Sequence, residues 1–212
     1  MSENVNTGLR VLNSPAEEAQ KKEFTIVVSG LGRSGTTMIS KLLTAGGIHM
    51  GVSKADVIHE DVGISNLVET DQADRFKAEV QRRNERWSVW GFKRPLIVRK
   101  HELLSATLRN PRYIIIFRDP LAVAMRNTLS LGFTIAQGLE IYSQQMVDVT
   151  RFVVESNRPK LLLSYEKVID NPKASIAAIR EFANIPAEKQ DAMVSVVRPN
   201  DSEYLSAVVR KK

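Results

Sequence analysis

The stretch Ser29-Gly30-Leu31-Gly32-Arg33-Ser34-Gly35-Thr36-Thr37 separates an apolar run, FTIVV, from a segment with helical spacing, MISKLLTAGG. A glycine-rich turn that feeds a helix gathers backbone N–H groups in a concavity and adds the positive end of the helix dipole, so it holds a phosphate whatever stands at position 36. An ATP loop needs more: a lysine that reaches the β- and γ-phosphates, with a neighbouring hydroxyl and a strand-end Asp to organise magnesium. Here Thr36 occupies the lysine position, Arg33 is the nearest cation, and the later strand YIIIF ends in Arg118. Asp119 beside it suits a helix cap better than a magnesium ligand. The loop is therefore either a defective ATP site or a working site for a different phosphorylated ligand.

Such a loop works only if a strand and a helix hold it. FTIVVS at 24–29 is a continuous β-branched run, as a strand buried on both faces reads, and residues 37–45 follow with helical spacing of Met38, Leu42 and Leu43. The pattern repeats. YIIIF at 113–117 precedes Asp119, Pro120 and the helical LAVAMRNTL; KLLLSY at 160–165 precedes KASIAAIREFANI; and WGFK at 90–93 precedes IVRKHELLSATL. Strands alternating with helices predict an α/β fold with a mostly parallel central sheet flanked by helices. Gly132 is expected to break a long helical region and leave a second helix over 133–156, whose stripe of Leu139, Tyr142, Met146, Val149, Phe152 and Val153 reads as core. Residues 48–79 read as an irregular, loop-rich insertion able to overhang the site.

In 212 residues with 43% hydrophobic and 25% charged residues, one domain is expected over 23–212, preceded by a flexible arm at 1–22. The polar N-terminus lacks a signal-like apolar stretch, and no run approaches a membrane span, so a cytoplasmic protein is expected. The absence of cysteine excludes disulfides and thiolate metal sites, and His49, His59 and His101 have no spacing that suggests a metal. The net charge of +6 favours anionic ligands. RRNERW at 82–87 reads as a solvated charged face, with no nucleic-acid partner expected.

GLGRSGTTM resembles the 5′-phosphosulfate loop of sulfotransferases, and the likeness continues in order through IHEDVGISNL, WGFKRP, YIIIFRDPLAVAMR and LLLSYEKVIDNPKASIAAIREFANI, over roughly residues 24–185. The resemblance implies the sulfotransferase variant of the P-loop nucleoside triphosphate hydrolase fold. It also implies 3′-phosphoadenosine 5′-phosphosulfate as donor, no required metal, and a small-molecule or glycan hydroxyl as acceptor, the bacterial-looking members pointing to carbohydrate or glycolipid. Carried onto this chain, it makes Arg33, Ser34, Gly35, Thr36 and Thr37 the 5′-phosphate cradle, with Arg33 also stabilising the leaving group. It makes Lys93 a sulfuryl contact and Arg118 a 3′-phosphate ligand. Two positions depart from the pattern. Where a Ser usually stands eight residues after that arginine, this chain has Arg126, which either grips the same phosphate bidentately or projects into solvent. Where familiar members carry a catalytic His, this chain reads Phe92-Lys93-Arg94-Pro95, so Glu60 becomes the expected general base, with His59 and Asp61 as alternatives. Tyr165 and Glu166 read as structural. A magnesium-dependent kinase and a non-catalytic nucleotide-phosphate-binding protein are the competing readings.

Overall fold

The computed structural model describes residues 6–14, 17, 21–51 and 57–198. Among them, five strands form one sheet in the order β1-β5-β4-β2-β3. The strands are β1 (Leu9–Leu12), β2 (Phe24–Gly30), β3 (Val89–Lys93), β4 (Arg112–Phe117) and β5 (Lys160–Ser164). β2 pairs in parallel with both β3 and β4, and β4 in parallel with β5; only the edge strand β1 runs antiparallel. The mostly parallel α/β reading therefore holds.

The alternation along each strand explains the layers. Ile26, Val28, Ile114, Ile116, Leu161 and Leu163 point to one face, under α1 (Thr36–Ala45), the short α7 (Tyr165–Asp170), α8 (Pro172–Phe182) and the short α9 (Gln190–Val194). Val27, Trp90, Phe92, Tyr113 and Ile115 point to the other, under α3 (Ala73–Arg86), α4 (His101–Thr107) and α6 (Ile135–Glu155). With apolar side chains needed on both faces, β2 and β4 read as unbroken apolar runs.

The caps fall where the residue types put them. Asp119 accepts the Ala122 amide and Pro120 opens α5 (Pro120–Leu131); Gly132 ends that helix in the left-handed conformation at φ 74°. α6 then starts from a capping box of Thr134 and Gln137. α5 and α6 approach closely because Gly138 carries no side chain; a Cβ there would meet the Ala124 backbone at 2.9 Å.

Two expectations are corrected. Residues 9–12, assigned to a flexible arm, form a strand that pairs with β5 from Leu9↔Leu163 to Leu12↔Lys160, while much of the remaining arm lies outside the described residues. Four residues with no strong apolar alternation carry little sequence signal, and the exposed edge of β5 supplies the missing partner. The second correction concerns 48–79. Beyond residue 61 it is mainly helical: α2 (Val62–Glu69) and the first half of α3. α3 is so polar that its buried positions Phe76, Val80 and Arg83 hide among charges.

Candidate active site

β2 lies between β3 and β4, and the chain crosses from β3 to the opposite side of β2 before entering β4. This reversal opens a crevice at the carboxyl ends of β2 and β4, the place where open α/β sheets bind ligands. The glycine-rich loop occupies it. Gly30 adopts φ 150° and a Cβ there would stand 2.5 Å from the Ile116 carbonyl; Gly35 adopts φ 107° with Tyr165 Cδ2 at 2.5 Å from such a Cβ. Ser34 is buried, and its hydroxyl donates to the Leu31 carbonyl at 2.7 Å, closing the turn from inside. Ser34 and Gly35 thus shape the loop. Thr36 and Thr37 open α1, where the first-turn amides have no partner four residues back.

Arg33 is held from three directions. Its own backbone is left-handed at φ 68°; its Nε donates to Ser130 Oγ at 3.2 Å; and its carbonyl accepts from Arg118 Nη1 at 3.0 Å. Ser130 in turn donates to the Arg126 carbonyl. The Arg118 guanidinium lies 4.1 Å over the Tyr165 ring, and its buried Nε meets no acceptor among the described residues. Tyr165, with Glu166 accepting the Asp119 amide at 3.0 Å, therefore supports the arginines from below.

The opposite rim is built by α1 and β3. Thr37 Oγ1 donates to the Ile58 carbonyl at 3.0 Å and Ser40 Oγ to the His59 carbonyl at 3.4 Å, which delivers Glu60 beside the loop. Lys93, the last residue of β3, is 1% exposed and donates to Glu60 Oε1 at 2.8 Å, while Arg94 Nη1 donates to Oε2 at 2.5 Å. The segment after β3 is tied to the loop strand: the Leu96 amide donates to the Gly30 carbonyl at 2.9 Å. Glu60 consequently sits between two cations, one buried and one half-exposed.

A cavity of about 490 Å³ joins these parts; Arg33, Thr36, Thr37, Glu60 and Lys93 all line it. Of the residues expected from sequence, these five are brought together around one cavity. Ser34 and Gly35 stand behind it as loop architecture, Arg118 braces the loop, and Arg126 lies half-exposed on α5 away from the lining. Sequence reasoning missed Arg94, Asn127 and Ser130. Ser130 had one usable signal, a hydroxyl two residues before the helix stop at Gly132; Arg94 and Asn127 had none.

Asp61, one of the alternatives to Glu60, has a different task. It is 4% exposed, caps α2 by accepting the Ile64 amide at 3.1 Å, and takes Arg83 Nη1 at 2.5 Å. Arg83 also binds Glu79 at 2.7 Å and lies over Trp90. Hydrogen bonds from Arg82 and Arg83 hold the Glu79 carboxyl down at about 2. The expected solvated face of RRNERW is thus corrected at Arg83, which is buried by pairing with a carboxylate. His49 stacks on Trp87 at 3.8 Å and is held below the ordinary histidine range by burial and then by the Arg83 charge. His101 packs against Phe152.

The loop geometry predicts that Gly35→Ala destabilises the protein by about 1–3 kcal/mol, because alanine must hold a left-handed backbone while its Cβ displaces the Tyr165 ring. Thermal denaturation measures this; an unchanged midpoint would show that the loop relaxes freely.

Residues 65–189 match the model of the sulfotransferase family. The matched region contains Lys93, Arg118 and Arg126 but neither the glycine-rich loop nor Glu60. Among solved structures, the chain is similar to the sulfotransferase domain of the Synechococcus PCC 7002 olefin synthase, with 15% identity, a TM-score of 0.57, and 94% of this chain and 84% of that one covered. It is also similar to the sulfotransferase domain from the curacin biosynthetic pathway, at 14% identity and a TM-score of 0.52, covering 84% and 78% of the two chains. No curated protein matches the sequence. At these identities the structural likenesses establish the fold, a P-loop nucleoside triphosphate hydrolase-like α/β architecture. Among the described residues no helix is long and apolar enough to cross a membrane.

Proposed function

Because this chain belongs to the sulfotransferase family, we propose that it moves a sulfuryl group from 3′-phosphoadenosine 5′-phosphosulfate to an acceptor hydroxyl, with the loop cavity as its active site. The observation that carries this reading is the meeting of a phosphate-type loop, a fixed arginine and a buried lysine–carboxylate pair around one cavity. The amides of Thr36 and Thr37 and the Arg33 guanidinium would hold the 5′-phosphate. Arg33 and Lys93 would then balance the charge that grows as the sulfuryl group leaves the phosphate oxygen for the acceptor oxygen. The acceptor hydroxyl loses its proton in that step, and Glu60, on the lining of the same cavity, would take it. In this scheme Lys93 exchanges its bond to Glu60 for one to the sulfuryl oxygens, and Arg94 keeps the carboxylate in place.

Arg118 supports the 3′-phosphate assignment through the one feature its other bonds leave over, a buried Nε with no acceptor among the described residues at the edge of the loop. Arg126, half-exposed on the same helix as Ser130, would join it only if its side chain turns toward the loop. The test is calorimetric. Adenosine 3′,5′-bisphosphate should bind more tightly than adenosine 5′-monophosphate, and Arg118→Ala should remove most of that preference, worth about 1.5–3 kcal/mol for a charge-assisted contact. Since Thr36 and Arg118 stand where a magnesium-nucleotide site needs Lys and Asp, a chelator should leave the bisphosphate affinity unchanged. Equal affinity for the two nucleotides, or a chelator-sensitive site, would overturn the donor assignment. Turnover of labelled donor separates an enzyme from a protein that only binds the nucleotide.

A further inference from the structure

Resting on the sulfuryl-transfer reading, we propose that the acceptor is an alcohol carried on an extended apolar body, whose hydroxyl meets Glu60 and Lys93 while the body lies against the apolar side chains of the lining. Beside the polar and charged Arg33, Thr36, Thr37, Glu60 and Lys93, the cavity wall carries six apolar side chains, Ile58, Pro95, Leu96, Leu131, Phe133 and Ile141; among the described residues only Asn127 and Gln145 add further side-chain hydrogen-bonding groups. A glycan desolvated against that wall would leave several hydroxyls without partners, each a loss that binding has to overcome. A hydrocarbon body loses nothing polar there and gains from every methylene it buries. Among the described residues Glu60 is the only carboxylate on the lining, and it is the group suited to accept a hydroxyl proton.

The apolar lining also reaches the surface. Ile58 and Leu131 both line the cavity, yet they are 40% and 45% exposed. They belong to two different elements, the segment before α2 and the end of α5, so a body longer than the cavity has an apolar exit along the lining. This assignment departs from the carbohydrate expectation: recognition comes from length and hydrophobicity of the carrier, with its reactive end specified by Lys93 and Glu60.

The experiment titrates straight-chain 1-alkanols from butanol to octanol, and methyl glucoside as the polyhydroxylated counterpart, into the protein saturated with adenosine 3′,5′-bisphosphate. Alkanol affinity should rise roughly threefold to fourfold per methylene and level off once the chain passes the exit. Leu131→Asn, which removes apolar surface without adding charge, should weaken octanol about tenfold and far more than it weakens the bisphosphate, and Ile141→Ala should reduce the gain per methylene. With labelled donor, the alkanols should accept the sulfuryl group in the same order. Absence of saturable octanol binding, affinity independent of chain length, octanol binding indifferent to both substitutions, or preferential binding of the glucoside would each overturn the proposal. Failure of the bisphosphate to bind in the first place would instead strike the donor-site reading beneath it, so the two failures are distinct.

Discussion

Replacing Glu60 with Gln is expected to slow sulfuryl transfer by about 10²–10⁴-fold, the usual size of a positioned acid-base contribution, while leaving adenosine 3′,5′-bisphosphate affinity nearly intact. The structure sharpens the reason. The Glu60 carboxylate is held by Lys93 at 2.8 Å and by Arg94 at 2.5 Å, so its position is set by two donors from the end of β3. Glutamine keeps the shape but cannot take a proton, and its amide must turn one N–H face away from a cation. Two effects are therefore mixed in this variant: loss of the base, and release of the lysine. Lys93→Ala separates them. If Glu60 is the base, Glu60→Gln should abolish the limb of the pH–rate profile that reports a group active when deprotonated, whereas Lys93→Ala should lower the rate throughout and keep that limb. Full transfer activity in Glu60→Gln would remove Glu60 from the reaction, and His59, whose backbone neighbours it in the same turn, would become the residue to test.

Asp61→Ala should cost about 3–5 kcal/mol of stability, the range for removing one member of a buried ion pair. Adjacent in sequence to Glu60, Asp61 differs from it in every surrounding. It is closed off from the cavity, caps α2, and faces an Arg83 side chain that is 8% exposed. Gly51 shows how tightly the pair is enclosed: a Cβ there would come within 1.8 Å of Asp61 Oδ2. Glu79 remains as a second partner for Arg83, which places the expected loss toward the lower end of that range. Asp61→Asn should be milder, since the amide oxygen can still accept the Ile64 N–H. Urea denaturation of the three proteins is the measurement, and a loss below about 1 kcal/mol in Asp61→Ala would mean that the pair repays no more than its own desolvation. Because the same turn presents Glu60, a destabilised Asp61 variant should also lose transfer activity without any change in the chemical groups of the cavity.

The phosphate loop, its strand and its helix were legible in the chain because all three are local. The glycines at 30 and 35 answer to backbone angles that only their own segment requires, and a strand buried on both faces announces itself by an unbroken apolar run. The caps at Asp119, Gly132 and Thr134 belong to the same class, since a helix end is satisfied by residues three or four positions away. Strand order, by contrast, decides which distant residues meet. Parallel pairing of β2 with β3 puts Lys93 at the loop, and the hydroxyls of α1 bring the turn carrying Glu60 to Lys93. Neither contact leaves a trace in spacing along the chain. The same limit explains Arg83 and Asp61. A charged helix reads as solvated until the fold supplies a buried carboxylate 22 residues away to pair one of its arginines. It explains β1 as well, which becomes a strand only because β5 has an edge to offer. What the sequence determined by itself was the phosphate-binding loop and the layered α/β plan. The tertiary structure alone decided which side chains share the cavity and that apolar ones make up much of its lining, because those facts depend on the packing of elements far apart in the chain.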